Sequence, residues 1–224
     1  MPNTVIKKSV SWVITLLIPL ALLLTGVRML LTPVFIRSEY GMPNFPDDKY
    51  GMTQDERFTW APVALDYLLN DEDISFLGDL SFKDGSPMFN ERELDHMVDV
   101  KGLTSTALNV WYFVLGLLFV MGVWAWRGDW ARDFRGAISR GGLLTMILIS
   151  MMILYLVINF RQLFLSFHQV FFEGDSWLFL YSDTLIRLFP MRFWQDAFIL
   201  VGVFSFLGGL LFWYFFCGVR KTKN

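Results

Sequence analysis

The sequence predicts an all-α polytopic membrane protein: a four-transmembrane-helix bundle with a mostly helical extracytoplasmic segment between spans 1 and 2. Three observations carry that expectation. The 224 residues are 54% hydrophobic and 17% aromatic, with a mean hydropathy of +0.46, which is too apolar for an ordinary soluble domain of this length. Four runs, residues 9–31, 103–126, 142–160 and 196–217, approach or exceed the roughly 20 apolar residues that a helix needs to cross a hydrocarbon core. The basic residues between those runs fall in a pattern that sets orientation.

Residues 1–8 carry Lys7 and Lys8 ahead of the first run. The start looks like a secretory signal, but the run is too long, and no small-x-small site or lipobox cysteine follows it. It therefore reads as an uncleaved helix. Arg127, Arg132, Arg135 and Arg140 lie between spans 2 and 3, and Arg220, Lys221 and Lys223 follow span 4. With the two lysines these make nine basic residues against only Asp129 and Asp133. The imbalance places residues 1–8, the loop 127–141 and the tail 218–224 in the cytoplasm. Segments 32–102 and 161–195 are then extracytoplasmic.

Segment 32–102 holds six basic and fifteen acidic residues, a net charge of −9, which argues against a nucleic-acid or polyanion partner. The single cysteine, Cys217, sits near the cytoplasmic end of span 4, so no internal disulfide orders this segment. Pro33 to Lys49, with Pro43 and Pro46 beside Gly41 and Asn44, reads as a turn-rich exit from the membrane. From Thr53 to Leu69 the apolar positions recur at helical spacing, and Thr53 with Glu56 fits a capping box. Pro62 either sits near that helix start or kinks it. Asn70–Asp73 and Lys83–Pro87 are loop signals, with a short strand or buried turn between them at 74–82. Asn90 with Glu93 three residues on starts a helix that runs towards span 2. The aromatic segment 161–195, with scattered charge, suits the membrane–water interface.

The chain holds only two histidines. His96 lies in RELDHMVDVK (residues 92–101), seven positions before span 2, and His168 lies eight positions beyond span 3. At about 1.5 Å per helical residue, both stand roughly 10 to 12 Å past the apolar core. Spans 2 and 3 are antiparallel neighbours by their short connection, so the two imidazoles fall at one height. Asp99, at i+3, would hold His96 in one tautomer. The same residues also read as an exposed charged face of Arg92, Asp95, Asp99 and Lys101. A third reading is a metal site of His96, Asp99, His168 and either Glu173 or Asp175, although no HExxH or cysteine pair is present. Arg28, near the outer end of span 1, is either a functional intramembrane cation or a snorkelling one. Gly141-Gly142 and Gly208-Gly209 are either helix-contact glycines or ordinary membrane-helix residues.

RELDHMVDVK, then HQVFFEGDSWLF (168–179) and SDTLIRLFPMRFW (182–194), set over four spans, together resemble a bacterial integral-membrane family. That family contains the lipoprotein intramolecular transacylase, Lit. The resemblance implies transfer of one ester-linked acyl chain from the diacylglyceryl group on a lipoprotein's N-terminal cysteine to that cysteine's own amine. It also implies that the family's two motif histidines fall on His96 and His168. The expected partners are membrane lipids and a diacylglyceryl lipoprotein substrate, with no nucleic acid, no cofactor and no metal.

That chemistry suits the residues. The α-amino group, with an ordinary pKa of about 7.7 to 8.0, must lose a proton, and the leaving glyceryl oxygen must gain one. Two imidazoles serve as base and acid. No serine or cysteine nucleophile is needed, in keeping with the absence of a GxSxG motif and of any outer cysteine. Trp177 and Phe179 would exclude water. Lys101, Arg28 or Arg187 would steady the oxyanion, and Asp175 is a further supporting candidate. Two other readings stand beside this one. One is a metal-dependent membrane hydrolase using the same residues. The other is a non-enzymatic envelope scaffold, which expects the two histidine side chains to lie more than roughly 10 Å apart.

Overall fold

The computed structural model describes residues 4–217. Arg220, Lys221 and Lys223, part of the orientation argument, lie outside the described residues. The described chain forms eight helices: α1 (Thr4–Leu30), α2 (Pro33–Tyr40), α3 (Gln54–Leu69), α4 (Ser75–Gly78), α5 (Glu91–Arg127), α6 (Ala131–Phe171), α7 (Thr184–Leu188) and α8 (Met191–Cys217). Among these residues the only β pairing is an isolated bridge between Ser81 and Pro87. The long helices α1, α5, α6 and α8 are each long and apolar enough to cross a membrane. The all-α, four-span expectation therefore holds.

Helix α5 begins well ahead of the apolar run at 103, and α6 extends past both ends of the run at 142–160. Helical hydrogen bonding is local to the backbone, so it continues where hydropathy stops and ends at caps instead. Within α6 the helical geometry is interrupted at Asn159 (φ −156°, ψ 76°). The Asn159 side chain accepts the Gln162 N–H at 3.1 Å and so caps the turns that follow.

The chain divides into two compact units, each drawn from separate stretches of sequence. The first comprises residues 4–28, 108–158 and 199–217 of the described chain. Its core packs Ile14, Ile18 and Leu22 of α1 against Ala125, Trp130 and Ala137. A Cβ on Gly141 would stand 2.6 Å from the Ile18 Cβ, and one on Gly209 would stand 2.7 Å from the Gly142 carbonyl oxygen. These are contact glycines, which settles the two sequence readings in favour of close helix approach. Several polar side chains here bond within the protein, as hydrocarbon surroundings favour. The Trp111 indole donates to Thr25 Oγ1 at 3.0 Å, and the Thr145 hydroxyl donates to the Gly141 carbonyl at 2.8 Å.

The second unit comprises residues 29–107 and 159–198. Its core joins Phe35, Ile36 and Tyr40 of α2 to Ala61, Ala64 and Leu65 of α3, and to Leu185, Leu188 and Phe193. The turn-rich exit expected at Pro33–Lys49 is corrected over 33–40, which are helical, and holds over 41–49, which form turns and irregular chain. Proline is tolerated at a first helical position, where its missing N–H would be unpaired anyway, and Thr32 Oγ1 caps the start by accepting the Phe35 N–H. The capping box of Thr53 and Glu56 is formed. Pro62 lies inside α3 rather than at its start. Residues 75–78 form a single helical turn where a strand or turn was expected.

Part of the aromatic stretch 161–195 is core rather than surface. Thr184, Leu185 and Leu188 are buried, and their backbone is held from several sides. The Tyr40 hydroxyl donates to the Leu188 carbonyl at 2.7 Å, and Arg57 Nε donates to the Arg187 carbonyl at 2.9 Å. The Leu185 N–H donates to Glu93 Oε1 at 2.6 Å.

Candidate active site

Helix α5 starts on a reciprocal cap. The Asn90 N–H donates to Glu93 Oε2 at 2.9 Å, and the Glu93 N–H donates to Asn90 Oδ1 at 3.1 Å. Glu93, 1% exposed, spends its other oxygen on Leu185, so the first turn of α5 is tied to α7. About 100° of rotation per residue then turns His96 and Met97 inward with Glu93, and turns Asp95, Val98 and Asp99 outward. His168 comes from the last turn of α6. Residues 72 apart in sequence meet inside the second unit, their imidazole centroids 6.0 Å apart and their planes 23° from parallel.

Both rings are more than nine-tenths buried, at 7% and 9% exposure, and the walls are aromatic. Phe172 lies 4.8 Å and Phe179 5.3 Å from the His96 ring. Phe164 lies 4.2 Å, Trp177 5.1 Å and Phe172 5.4 Å from the His168 ring. The two rings are not equivalent. His168 Nδ1 stands 2.8 Å from the Phe164 carbonyl oxygen. A carbonyl only accepts, so Nδ1 carries the proton and Nε2 presents a lone pair. His96 Nδ1 is buried with no hydrogen-bond partner. Two further buried polar atoms in the adjoining loop, Ser176 Oγ and Trp177 Nε1, also lack one.

None of the other residues expected at the site is seen bonded to either imidazole. Asp99 is exposed and does not orient His96, because position 99 turns past the buried stripe of α5. Lys101 is engaged with the end of α3: its Nζ donates to Asn70 Oδ1 at 3.1 Å and lies 4.1 Å from the Tyr67 ring centre. Arg187 pairs with Asp48 at 3.1 Å and donates to the Tyr50 carbonyl at 3.3 Å. Asp175 and Glu173 are exposed, and Arg28 lies in the last turn of α1, within the first unit. The expected ion-paired face is not formed either, since Arg92 donates to the Leu178 carbonyl at 3.0 Å. Among the described residues no three His, Cys, Asp or Glu side chains stand together as a metal site would require. The metal reading thus lacks its carboxylates, whose side chains face outward.

The sequence reading missed Phe164 and Phe172, four residues before and after His168, although helical periodicity alone puts them on its face. It also read Arg92 as part of a charged face, whereas Arg92 straps the loop carrying Trp177 to α5.

Residues 12–194 match the protein family described as "Lipoprotein intramolecular transacylase Lit". The chain is 34% identical over 217 residues to an uncharacterized protein of Aquifex aeolicus, covering 97% of this chain and 96% of that one. Its fold is similar to the in meso structure of the membrane integral lipoprotein intramolecular transacylase Lit from Bacillus cereus, with a TM-score of 0.76 at 20% identity over 98% of both chains. It is also similar to a form of that protein carrying a histidine-to-arginine substitution, with a TM-score of 0.65 at 18% identity over 96% of this chain and 92% of that one.

Proposed function

The chain belongs to the lipoprotein intramolecular transacylase (Lit) family, and from that premise we propose that His96 and His168 are the acid/base pair of its acyl transfer. As a member it is a membrane-bound transferase of the lipoprotein intramolecular transacylase kind. The substrate in this reading is a lipoprotein whose N-terminal cysteine carries a diacylglyceryl group. One acyl chain moves from a glyceryl oxygen to the cysteine's own α-amino group.

The amine nitrogen attacks the ester carbonyl carbon, and His168, through the lone pair on Nε2, takes the proton that the nitrogen sheds. Collapse of the adduct reforms the carbonyl and breaks the bond to the glyceryl oxygen, which must be protonated as it leaves. His96 supplies that proton and is recharged by the His168 imidazolium, so both rings finish neutral. One N–C bond forms, one C–O bond breaks and one proton crosses the site, with no co-reactant. The aromatic wall keeps out water, which would otherwise compete with the amine and hydrolyse the ester.

The observation that carries the reading is the 6.0 Å separation of two buried imidazoles within one aromatic enclosure. A scaffold role gives no reason for it. The test is mass spectrometry of a lipoprotein's N-terminal peptide after incubation with membranes containing the protein. Wild type moves one acyl chain from glycerol to the amine with no change in total mass. His96→Ala and His168→Ala each lower the rate by about 100-fold or more, while the protein still accumulates in the membrane. Near wild-type rates in both variants would sink the assignment.

A further inference from the structure

The loop that brings Trp177 against His168 carries two hydrogen-bond donors that the fold buries and does not use. The Trp177 indole N–H and the Ser176 hydroxyl are both shielded from solvent without a partner. The Trp177 ring is 5.1 Å from the His168 ring. Indole N–H is a donor only, and buried indoles usually find an acceptor. An orphaned donor against a reactive imidazole therefore points to an acceptor that arrives with the substrate.

We propose that the Trp177 indole N–H, assisted by the neighbouring Ser176 hydroxyl, holds the carbonyl oxygen of the ester being cleaved and the oxyanion that forms there. The assignment rests on the acyl-transfer reading above. When the amine adds, the carbonyl π pair moves onto that oxygen. Negative charge develops there in a largely aromatic enclosure, where a preorganised donor counts for more than it does in water. When the adduct collapses, the pair returns to the C=O bond and the glyceryl oxygen departs with its proton. The donors gain and lose no atoms. Two of the cations expected for this role are engaged by other groups: Lys101 is held by Asn70 and Arg187 by Asp48.

Trp177→Phe removes the N–H and keeps an aromatic ring. In full-length protein reconstituted with a diacylglyceryl lipopeptide, kcat falls by about 100-fold with KM within about threefold of wild type, the pattern of an interaction made chiefly in the transition state. Ser176→Ala gives a smaller loss. Thermal stability of Trp177→Phe stays close to that of wild type, because relief of an unpaired buried donor offsets the packing lost with the smaller ring. A direct readout uses indole 15N-labelled protein and the same lipopeptide with its amine acetylated, which binds but cannot react. The Trp177 indole resonance, identified by its absence from Trp177→Phe, moves downfield on addition. A wild-type kcat in Trp177→Phe, or an unmoved resonance, overturns the proposal. If His96→Ala and His168→Ala remain active while Trp177→Phe is slow, the histidine assignment falls and the donor stands. The reverse pattern removes only the donor.

Discussion

At the scale of single residues, Glu39 shows how burial rewrites an ordinary side chain. It is 2% exposed, hydrogen-bonds Asp196, and Asp196 is ion-paired with Arg192. Burial, and then the Asp196 hydrogen bond and charge, push the Glu39 carboxyl up to about 7, against the opposing pull of Arg192. A carboxyl whose folded value is raised favours the folded state while protonated. Its contribution is full below the ordinary value of 4.5 and is lost as pH rises to about 7. In detergent, wild type therefore loses thermal stability between pH 5 and pH 8 relative to Glu39→Gln, which has no proton to release. Parallel melting-temperature curves for the two proteins would refute this. Residue identity made the histidines conspicuous, because only two exist. It made Glu39 look unremarkable and gave Trp177 only a water-excluding role, because their burial depends on segments far away in sequence.

At the scale of elements, local chemistry was legible and its consequences were not. The caps at Thr53/Glu56 and Asn90/Glu93 are readable because both partners lie within one turn. Helix α2 was hidden by Pro33, whose helix-start role depends on the Thr32 side chain. The cap on α5 does more than begin a helix, since Glu93 also anchors α7 through Leu185. Asn90→Ala is expected to cost about 1 kcal/mol. Glu93→Gln, which leaves a buried N–H facing an amide donor, costs about 1 to 3 kcal/mol. Because the same turn aims His96, Glu93→Gln also lowers acyl transfer, whereas a distant surface substitution of equal cost does not. Chemical denaturation and product formation measured on the same preparations check both statements.

At the scale of the whole molecule, we infer that both termini and the loop 127–141 face the cytoplasm and that segments 32–102 and 161–195 face outward. The support is the charge imbalance of the short segments. The outward side is also where a lipid-anchored N-terminal cysteine would be met. In a Cys217→Ala background, Asp84→Cys is labelled by an impermeant maleimide on intact cells, and Asp129→Cys is labelled only after permeabilisation. The opposite pattern would reverse the orientation and move the proposed site to the inner face.

By itself the sequence determined the class of the protein, its four apolar helices and the two motif histidines. Those properties follow from side-chain composition and from spacings within a few helical turns, which act without reference to the rest of the chain. Only the tertiary structure decided where the candidate charges fall and what they bond. Asp99, Lys101 and Arg187 were plausible by residue type, yet helix phase turns the first outward and pairing occupies the other two. The structure also decided that Phe164 sets the His168 tautomer, and that Trp177 and Ser176 are left with donors to spare. The physical reason is that burial and hydrogen-bond satisfaction are properties of an environment, and this environment is assembled from residues as far apart as 96 and 177.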